Sequence, residues 1–576
     1  MPYTPNNPYI PGDPYSYDLK WIVSELKKVQ SSIEGLDDKI AAAVIAALDQ
    51  HDPIYYPTAQ DLIDSGQKAS SIAYIEGFYT AGDGGANLYY VTDDFNDVLA
   101  ADFYITLAGP NKWAVPILTT PFVTPEMFGA HGDGITPDTA AFTAALKTGR
   151  ELILQNKTYL TGGLELTQPV KITGHDSRLL QAVESSVFLT IDTDDVTVSG
   201  IIFDPNASAQ SSTNMIVYAD GCSDLVFSDC DFKPQYFTSY SATGAVHFKN
   251  CTEVQMIRCT LTGANAEGLV FDSGCSHCLV SGGAYYDNTD GSGIWLFDGS
   301  SDIIIDGISA HGNAGSQIGM AGNGHKLINS LIYDGGSIGV NLGHSPSSLA
   351  LNCIVSGCII KDNDTRQVQV QMTGSDNNVF ENNIIVGRSD GSQTSTVFGF
   401  AVASGAAAQI LRYNDISNCY YAASIGSGSL IEGNNFHDND AGAVFMFAAT
   451  DNVKIIGNTV ENSLSLTAGN QNVNEAVISG NTCTGNTSGI SLANLTNSIV
   501  SNNVCSQNSA MGISIAAGSN NTITANVCNS NTQRGIYVVS ADTLIGNIAI
   551  SNTVTDYTIP NVLAKIGNID SNGLVV

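Results

Sequence analysis

The chain has 576 residues, of which 43% are hydrophobic and only 13% are charged, and its formal net charge is −33. Such an acidic chain has no basic stripe for phosphate contacts, which argues against a nucleic-acid partner. No run of about eighteen apolar residues is present, so we expect no membrane-spanning helix. The N-terminus also lacks the basic and apolar segments of a secretory signal.

The first fifty residues predict an extended arm followed by a helix. Residues 1–16 are rich in proline, which favours an extended attachment arm. In residues 17–50, apolar residues from Leu19 to Ala47 recur at alternating spacings of three and four, an a/d heptad pattern. Its seam contains β-branched residues, which favours a three-stranded coiled coil. The alternative is an amphipathic helix that packs on its own domain.

Two further elements are predicted before the main part of the chain. Residues 53–120 carry aromatic strand-like runs, "ANLYYV" and "ADFYITL", which indicate a small β-rich domain. A helix is then predicted at 137–148, with Pro137 in its first turn and Thr136 or Asp138 as its cap. Its apolar residues, including Phe142, can cover the open end of the structure that follows.

Residues 121–550 are predicted to form one repetitive domain, in which copies of a single phrase recur from Ile201 to Asn547. "VISGNTCTGN" at 477–486 is followed by "IVSNNVCSQN" and "ITANVCNSN", and earlier copies precede it at intervals of 20 to 31 residues. Each repeat holds two or three short alternating runs separated by Gly, Asn, Ser and Asp, which predict strands and turns. Because such short strands bury their apolar faces only by stacking, the pattern predicts a solenoid.

The predicted fold class is all-β, a right-handed single-stranded parallel β-helix of about 15 coils. We expect the N-terminal coiled coil and the small β-rich domain to precede it, and residues 551–576 to form a C-terminal cap. The repeated asparagine, Asn481 in one copy, is expected at a tight turn in the left-handed conformation. Its amide is expected to bond the copies above and below.

Twelve cysteines also recur at fixed places in the repeat. Free cysteine behaves as a small apolar residue, so stacked columns of buried thiols are favoured over disulfides or a metal site. The one short pair of cysteines, "CSHC" at 275, lacks the partner pair of a zinc site. We therefore expect no metal and no cofactor.

Residues 123–174 resemble a known family. The sequence "FGAHGDGITPDTAAFTAA" resembles the first segment of the pectate-lyase-like superfamily, in the version found in bacteriophage tailspike and tail-fibre proteins. The matching residues are Phe128, Gly129, Ala130, Gly132, Asp133, Gly134, Asp138, Thr139, Ala140, Ala141, Phe142, Ala144, Ala145, Tyr159 and Leu160.

This resemblance implies a homotrimer that joins other virion tail or baseplate proteins through its N-termini and presents its β-helices to host surface polysaccharide. It implies a location in the virion tail, after synthesis in the host cytoplasm without a signal peptide. The acidic residues of the matching segment are interpreted as structural.

A polysaccharide depolymerase of this fold that acts as a glycosidase needs two carboxyl groups about 5 to 9 Å apart, depending on the stereochemistry. The densest group of carboxylates and aromatic residues lies between residues 267 and 311. Glu267 is the best single candidate because the coils contain few glutamates. The parity of Trp295 within its strand decides whether it faces a groove or the core. The candidate catalytic residues are Glu267, Asp272, Asp290 and Asp298, and the candidate substrate-binding residues are Tyr285, Tyr286, Trp295 and His311.

Other groups and other functions are also considered. Asp362, Asp364 and Arg366 are interpreted as a solvated turn. Hydrolysis by a glycoside hydrolase is favoured over elimination by a lyase, because lysine and arginine are sparse in the coils. The alternatives are a receptor-binding tail fibre without catalysis and a bacterial carbohydrate enzyme unconnected with phage. A long interval between repeats predicts a protruding loop at 335–350.

Overall fold

The structure is a computed structural model. It divides the chain into two compact units, residues 1–185 with 193–209 and residues 186–192 with 210–576. The predicted arm (1–16) and coiled coil (17–50) lie outside the described residues. Within the described part of the chain, no helix is long and apolar enough to cross a membrane. The structure describes residues 53–94, 103–182, 187–206, 215–233, 244–389, 397–402, 406–446, 449–468, 472–539, 541–560 and 563–573.

The first unit begins with a five-stranded sheet and one helix, α1. The first two strands pair in parallel, whereas the other pairs are antiparallel. Helix α1 begins after Thr58, whose hydroxyl accepts a hydrogen bond from the backbone N–H of Asp61 at 3.2 Å. In sheet order the strands are Ile54–Tyr56, Ser71–Ile75, Asn87–Thr92, Trp113–Ile117 and Ile105–Thr106, and α1 is Ala59–Asp64.

The rest of the first unit contains the segment with the family resemblance. Its helix, α2, does not begin as the sequence predicts, because Pro137 ends a strand and lies outside the helix. Asp138 is at the N-cap position, but its carboxylate accepts from the backbone N–H of His131 at 2.7 Å and caps no helical N–H. The elements are strands Phe122–Val123, Asp133–Pro137, Glu151–Ile153, Thr158–Thr161, Leu164–Leu166, Val170–Gln181 and Val196–Asp204, the 3-10 helix Pro125–Phe128 and α2, Thr139–Lys147.

The second unit is a parallel β-solenoid of about 16 turns, close to the predicted 15. Each full turn contributes one strand to each of three columns. The first column contains Leu225–Ser228, Gln255–Ile257, Leu279–Ser281, Ile304–Asp306, Lys326–Ile328, Ile354–Ser356, Val379–Glu381, Ile410–Arg412, Leu430–Glu432, Lys454–Ile456, Val477–Ser479, Ile499–Ser501, Gly518–Thr524, Ala541–Ile545 and Ala564–Ile566. The second contains Asp231–Phe232, Thr260–Thr262, Ala284–Tyr286, Ser309–His311, Leu331–Tyr333, Ile359–Lys361, Ile384–Val386, Asp415–Ser417, Asn435–His437, Thr459–Glu461, Thr482–Thr484, Val504–Ser506, Val527–Asn529 and Ile548–Ile550.

Five short strands lie outside the columns: Gly322–Asn323, Ala350–Leu351, Thr450–Asp451, Asn472–Asn474 and Asn494–Thr496.

The third column is central to the candidate site. The third column contains Val187–Ile191, Met215–Asp220, Val246–Lys249, Leu269–Phe271, Ile294–Leu296, Ile318–Met320, Ile338–Leu342, Arg366–Val370, Phe398–Val402, Tyr421–Ile425, Gly442–Met446, Thr467–Ala468, Ile490–Leu492, Ile513–Ile515, Arg534–Val538 and Thr555–Thr558.

The repeated asparagines form a ladder inside the turn between the first and second columns. Asn481 donates from its backbone N–H and its Nδ2 to Oδ1 of Asn503, at 3.0 and 2.9 Å. Its own Oδ1 accepts the same pair of bonds from Asn458. The predicted bonding between copies is therefore confirmed. The predicted left-handed conformation is wrong for the asparagine itself and belongs to the residue before it, here Gly480.

The cysteines also stack in columns. Cys483, Cys505 and Cys528 are register neighbours in three successive strands of the second column. All twelve cysteines are buried and none is in a disulfide, as the sequence predicts. They fill interior positions as small apolar residues.

Candidate functional site

The third strand column has an inward and an outward face, which the aromatic core defines. The Phe248 ring lies 5.9 Å from that of Phe227 in the first column and 5.5 Å from that of Phe271, so these residues fill the interior. Leu296 is the register neighbour of Phe271 and therefore points inward too. Because side chains alternate along a strand, Trp295 points outward.

Trp295 is nevertheless almost completely covered, with 6% of its surface exposed. Its ring lies against Gly319 in the next strand, and the His344 ring meets it edge-on at 5.1 Å. The indole Nε1 is buried and has no hydrogen-bond partner among the described residues. The Trp295 side chain therefore lies on the outer face of the column, beneath the side chain of His344, and not in the core.

Glu267 lies just before the neighbouring strand of the same column. Its Oε2 accepts a hydrogen bond from the backbone N–H of Ser292 at 2.5 Å. Burial raises the pKa of the Glu267 carboxyl, and the bonds from Ser292 oppose this only in part. His344 lowers this pKa and Asp290 raises it, so both groups are near enough for their charges to act on Glu267.

The four predicted carboxylates therefore fall into two places. Glu267 and Asp290 lie in the turns that lead into the third column, whereas Asp272 and Asp298 follow the ends of its strands. Asp272 is five residues after Glu267, about 16 Å along an extended strand. This distance is too long for one glycosidic bond to lie between the two carboxyl groups.

Asp272 and Asp298 also have partners of their own. Asp272 Oδ2 lies 3.2 Å from Nε2 of His247, and burial lowers the pKa of that histidine although the carboxylate opposes the shift. Asp298 Oδ1 accepts a hydrogen bond from the hydroxyl of Ser348 at 3.3 Å. Ser348 and His344 belong to one loop, residues 343–349, which contacts both Asp298 and Trp295.

The three remaining predicted residues do not join this group. Tyr285 is in the core with no exposed surface, so the prediction that it binds substrate is wrong in this fold. Tyr286 and His311 lie on the outside of the second column, where their rings stack at 4.8 Å, and His311 stacks on Tyr333 at 4.7 Å. Because His311 has a ring on each face, it is not a stacking surface for a sugar.

The arrangement around Glu267 suits acid–base chemistry on a sugar. It combines a largely buried carboxyl, an exposed carboxylate, an imidazole and an aromatic ring on one outer face. Within the described residues, no three His, Cys, Asp or Glu side chains come together as potential metal ligands. Sequence reasoning missed His344, although it predicted a protruding loop at 335–350, because no repeat pattern marks a loop residue.

Comparison with a family model identifies the solenoid. Residues 285–428 and 398–555 match the model described as "Right handed beta helix region". Residues 285–555 form a right-handed β-helix. The handedness predicted from the sequence is therefore confirmed for this part of the chain. No curated protein matches the sequence.

Several solved structures are similar to the β-helix. The Azotobacter vinelandii mannuronan C-5 epimerase AlgE6 A-module is 15% identical, with a TM-score of 0.38, 78% of this chain covered and 98% of that one. The bacteriophage phi29 gene product 12 N-terminal fragment is 14% identical, with a TM-score of 0.39 and coverages of 77% and 93%. The tailspike of E. coli bacteriophage HK620, in complex with pentasaccharide, is 12% identical, with a TM-score of 0.39 and coverages of 75% and 75%. No functional conclusion follows from similarities of this size.

Proposed function

We propose that this protein is a phage tailspike that binds a host cell-surface polysaccharide and hydrolyses its glycosidic bonds at Glu267 and Asp290. One observation carries the hydrolysis: the largely buried Glu267 has a raised pKa and lies within the electrostatic influence of the exposed carboxylate of Asp290. Two carboxyl groups in unlike environments are what the acid and the base or nucleophile of a glycosidase require.

Each side chain has a definite part in this proposal. Glu267 keeps its proton to a higher pH than an exposed glutamate and donates it to the glycosidic oxygen. The N–H of Ser292 holds Oε2 and leaves the proton for the other oxygen. Asp290 either activates a water molecule or attacks the anomeric carbon, depending on the separation of the two carboxyl groups in the complex. Trp295 offers an apolar ring next to them when the side chain of His344 moves aside.

The assignment to phage rests on the sequence. The segment from Phe128 to Leu160 resembles the start of tailspike β-helices, and the right-handed β-helix follows it in the expected order. A homotrimer joined through residues 17–50 is part of the proposal, as is a location in the virion tail. Light scattering of the purified full chain tests the trimer, and deletion of residues 1–50 should then yield monomers.

The enzymatic proposal is tested by incubating the full-length protein with capsular and wall polysaccharides. New reducing ends without ultraviolet absorbance of unsaturated uronates are expected for a hydrolase. The E267Q variant should bind the same polysaccharide but release no reducing ends, while the matched D298N variant should remain active. Unsaturated products would indicate a lyase instead. Binding without any cleavage by the wild type would indicate a receptor-binding tail fibre.

A further inference from the structure

Four of the seven arginines of this chain pair with carboxylates, and two others contact a backbone carbonyl or an aromatic ring. Arg178, Arg258, Arg388 and Arg412 pair with carboxylates, Arg150 donates to a backbone carbonyl, and Arg534 lies over the ring of Tyr537. Arg366 is different, because its one polar contact among the described residues is from Nη1 to the amide oxygen of Gln369, at 3.3 Å. Its charge therefore has only a neutral amide as partner among the described residues, in a chain with 55 acidic and 22 basic residues.

Arg366 also lies on the same outer face as the candidate catalytic residues. Gln369 follows the inward Val368 and therefore points outward, and Arg366 contacts it on that face. Val368 and Leu269, two residues after Glu267, belong to one continuous register. Four strand spacings separate them, about 19 Å. Arg366 is therefore several sugar units away from the proposed cleavage point, on the path of a glycan that follows the column.

The groups next to Arg366 are polar and partly unsatisfied. Gln369 is the register neighbour of Asn341, which is only 4% exposed. Nδ2 of Asn341 donates to Oε1 of Gln371 at 2.8 Å, but its Oδ1 is buried and has no partner among the described residues. An enclosed amide oxygen without a donor is unfavourable, and a ligand hydroxyl would satisfy it.

We infer that Arg366, Gln369, Asn341 and Gln371 form a binding subsite for an acidic sugar, one that carries a carboxylate. This inference rests on the proposed function, since it specifies the class of polysaccharide that the same face binds. The guanidinium supplies two parallel N–H groups to the sugar carboxylate, and the amides bond neighbouring hydroxyls. The nearest carboxylates along the chain have other partners, because Asp364 pairs with Arg388 and Asp362 with Lys361. The earlier assignment of Arg366 to a solvated turn is wrong, since it begins a strand.

The test uses the full chain and immobilised polysaccharides of known charge: polygalacturonate, alginate and hyaluronan as acidic members, and dextran and galactan as neutral ones. Wild type is expected to bind at least one acidic member more tightly than the neutral ones. The R366Q variant should lose roughly 10- to 100-fold in that affinity, and R366K should be intermediate because lysine is not bidentate. Lys454 is exposed and has no carboxylate partner in the described residues, so K454Q is the matched control and should bind like wild type.

Equal binding by R366Q and wild type would overturn the inference. So would a wild-type protein that binds none of the acidic polysaccharides, whether or not it binds the neutral ones. Thermal unfolding of R366Q checks that the variant is folded. The experiments distinguish failure of the acidic-sugar subsite from failure of the proposed hydrolysis. Hydrolysis of a neutral polysaccharide without anion binding would leave the proposed function intact. Binding through Arg366 without any reducing ends would leave the subsite intact and remove the hydrolysis.

Discussion

Trp295 occupies the space that a side chain at position 319 would need. A β-carbon on Gly319 would lie 1.9 Å from Cε3 of the Trp295 ring. The glycine therefore leaves room for the indole over the neighbouring strand. Gly319 has no left-handed backbone angle, so alanine fits the backbone and clashes only with the ring.

G319A is therefore expected to displace the indole and to lower the free energy of unfolding by about 1–3 kcal/mol, the usual cost of overpacking. Urea unfolding measures this, and tryptophan fluorescence reports the new environment of the ring. The same substitution in a W295A background should cost nothing, because the clash has been removed. An equal loss of stability in both backgrounds would contradict the role given to Trp295.

Glu267 should make stability and activity depend on pH. Burial raises its pKa in the folded chain above the usual value of 4.5, so the unfolded chain ionises first as pH rises. The contribution of Glu267 to stability therefore falls as pH increases through the folded pKa. E267Q stays neutral, so we expect it to become more stable relative to wild type between pH 4 and pH 8. A difference in unfolding free energy that is constant over that range would argue against the shift.

The pH dependence of the hydrolysis rate should follow the same raised pKa of Glu267. If Glu267 donates the proton, the hydrolysis rate of the wild type should decrease as pH rises through the raised pKa, because the ionised carboxylate has no proton to give. A pH–rate profile on the polysaccharide found in the reducing-end assay measures this. A rate that increases with pH on that limb would assign Glu267 the role of base instead.

The solenoid could be predicted from the sequence because the feature that produces it, a short asparagine-containing segment that bonds its own copy in the next coil, is repeated along the chain. Asn481 and its copies recur at nearly constant intervals, and each must bond the next one, so the period of the sequence is the period of the coil. The detail of the turn was less predictable. Glycine or asparagine precedes many of the repeated positions, and only the backbone angles show that this preceding residue is the left-handed one.

The candidate site was only partly predictable, because periodicity does not fix which face a strand presents. Tyr285 and Tyr286 are adjacent in sequence, yet the first lies in the core and the second on the surface. Glu267 was found through its rarity in the coils. His344 was missed as a site residue because it lies in a loop between repeats. Arg366 was missed because it was assigned to a turn, although it begins a strand of the third column.

The asparagine ladder should be essential for stability, and two neighbouring residues offer a matched test. Asn434 is buried, and its Oδ1 accepts from the backbone N–H and Nδ2 of Asn414, at 3.0 and 2.9 Å. N434A leaves that N–H buried without an acceptor, so we expect a loss of about 2–4 kcal/mol from the broken bonds. Asn435 is exposed, and among the described residues its side chain donates only to the carboxylate of Asp415, so N435A should cost under about 1 kcal/mol. Urea unfolding of the two variants measures both costs, and similar values would show that the ladder contributes little.

The twelve cysteines should be unreactive in the folded protein. All are buried, and the thiols of Cys483 and Cys505 have pKa values well above the usual one, because of the neighbouring thiols and burial. Since the thiolate is the reactive form, a thiol reagent such as Ellman's reagent should label none of the native chain and all twelve after denaturation. Partial labelling at concentrations of urea below the main transition would identify the coils that open first. Rapid labelling of the native protein would contradict the stacked, closed interior from which the fold is built.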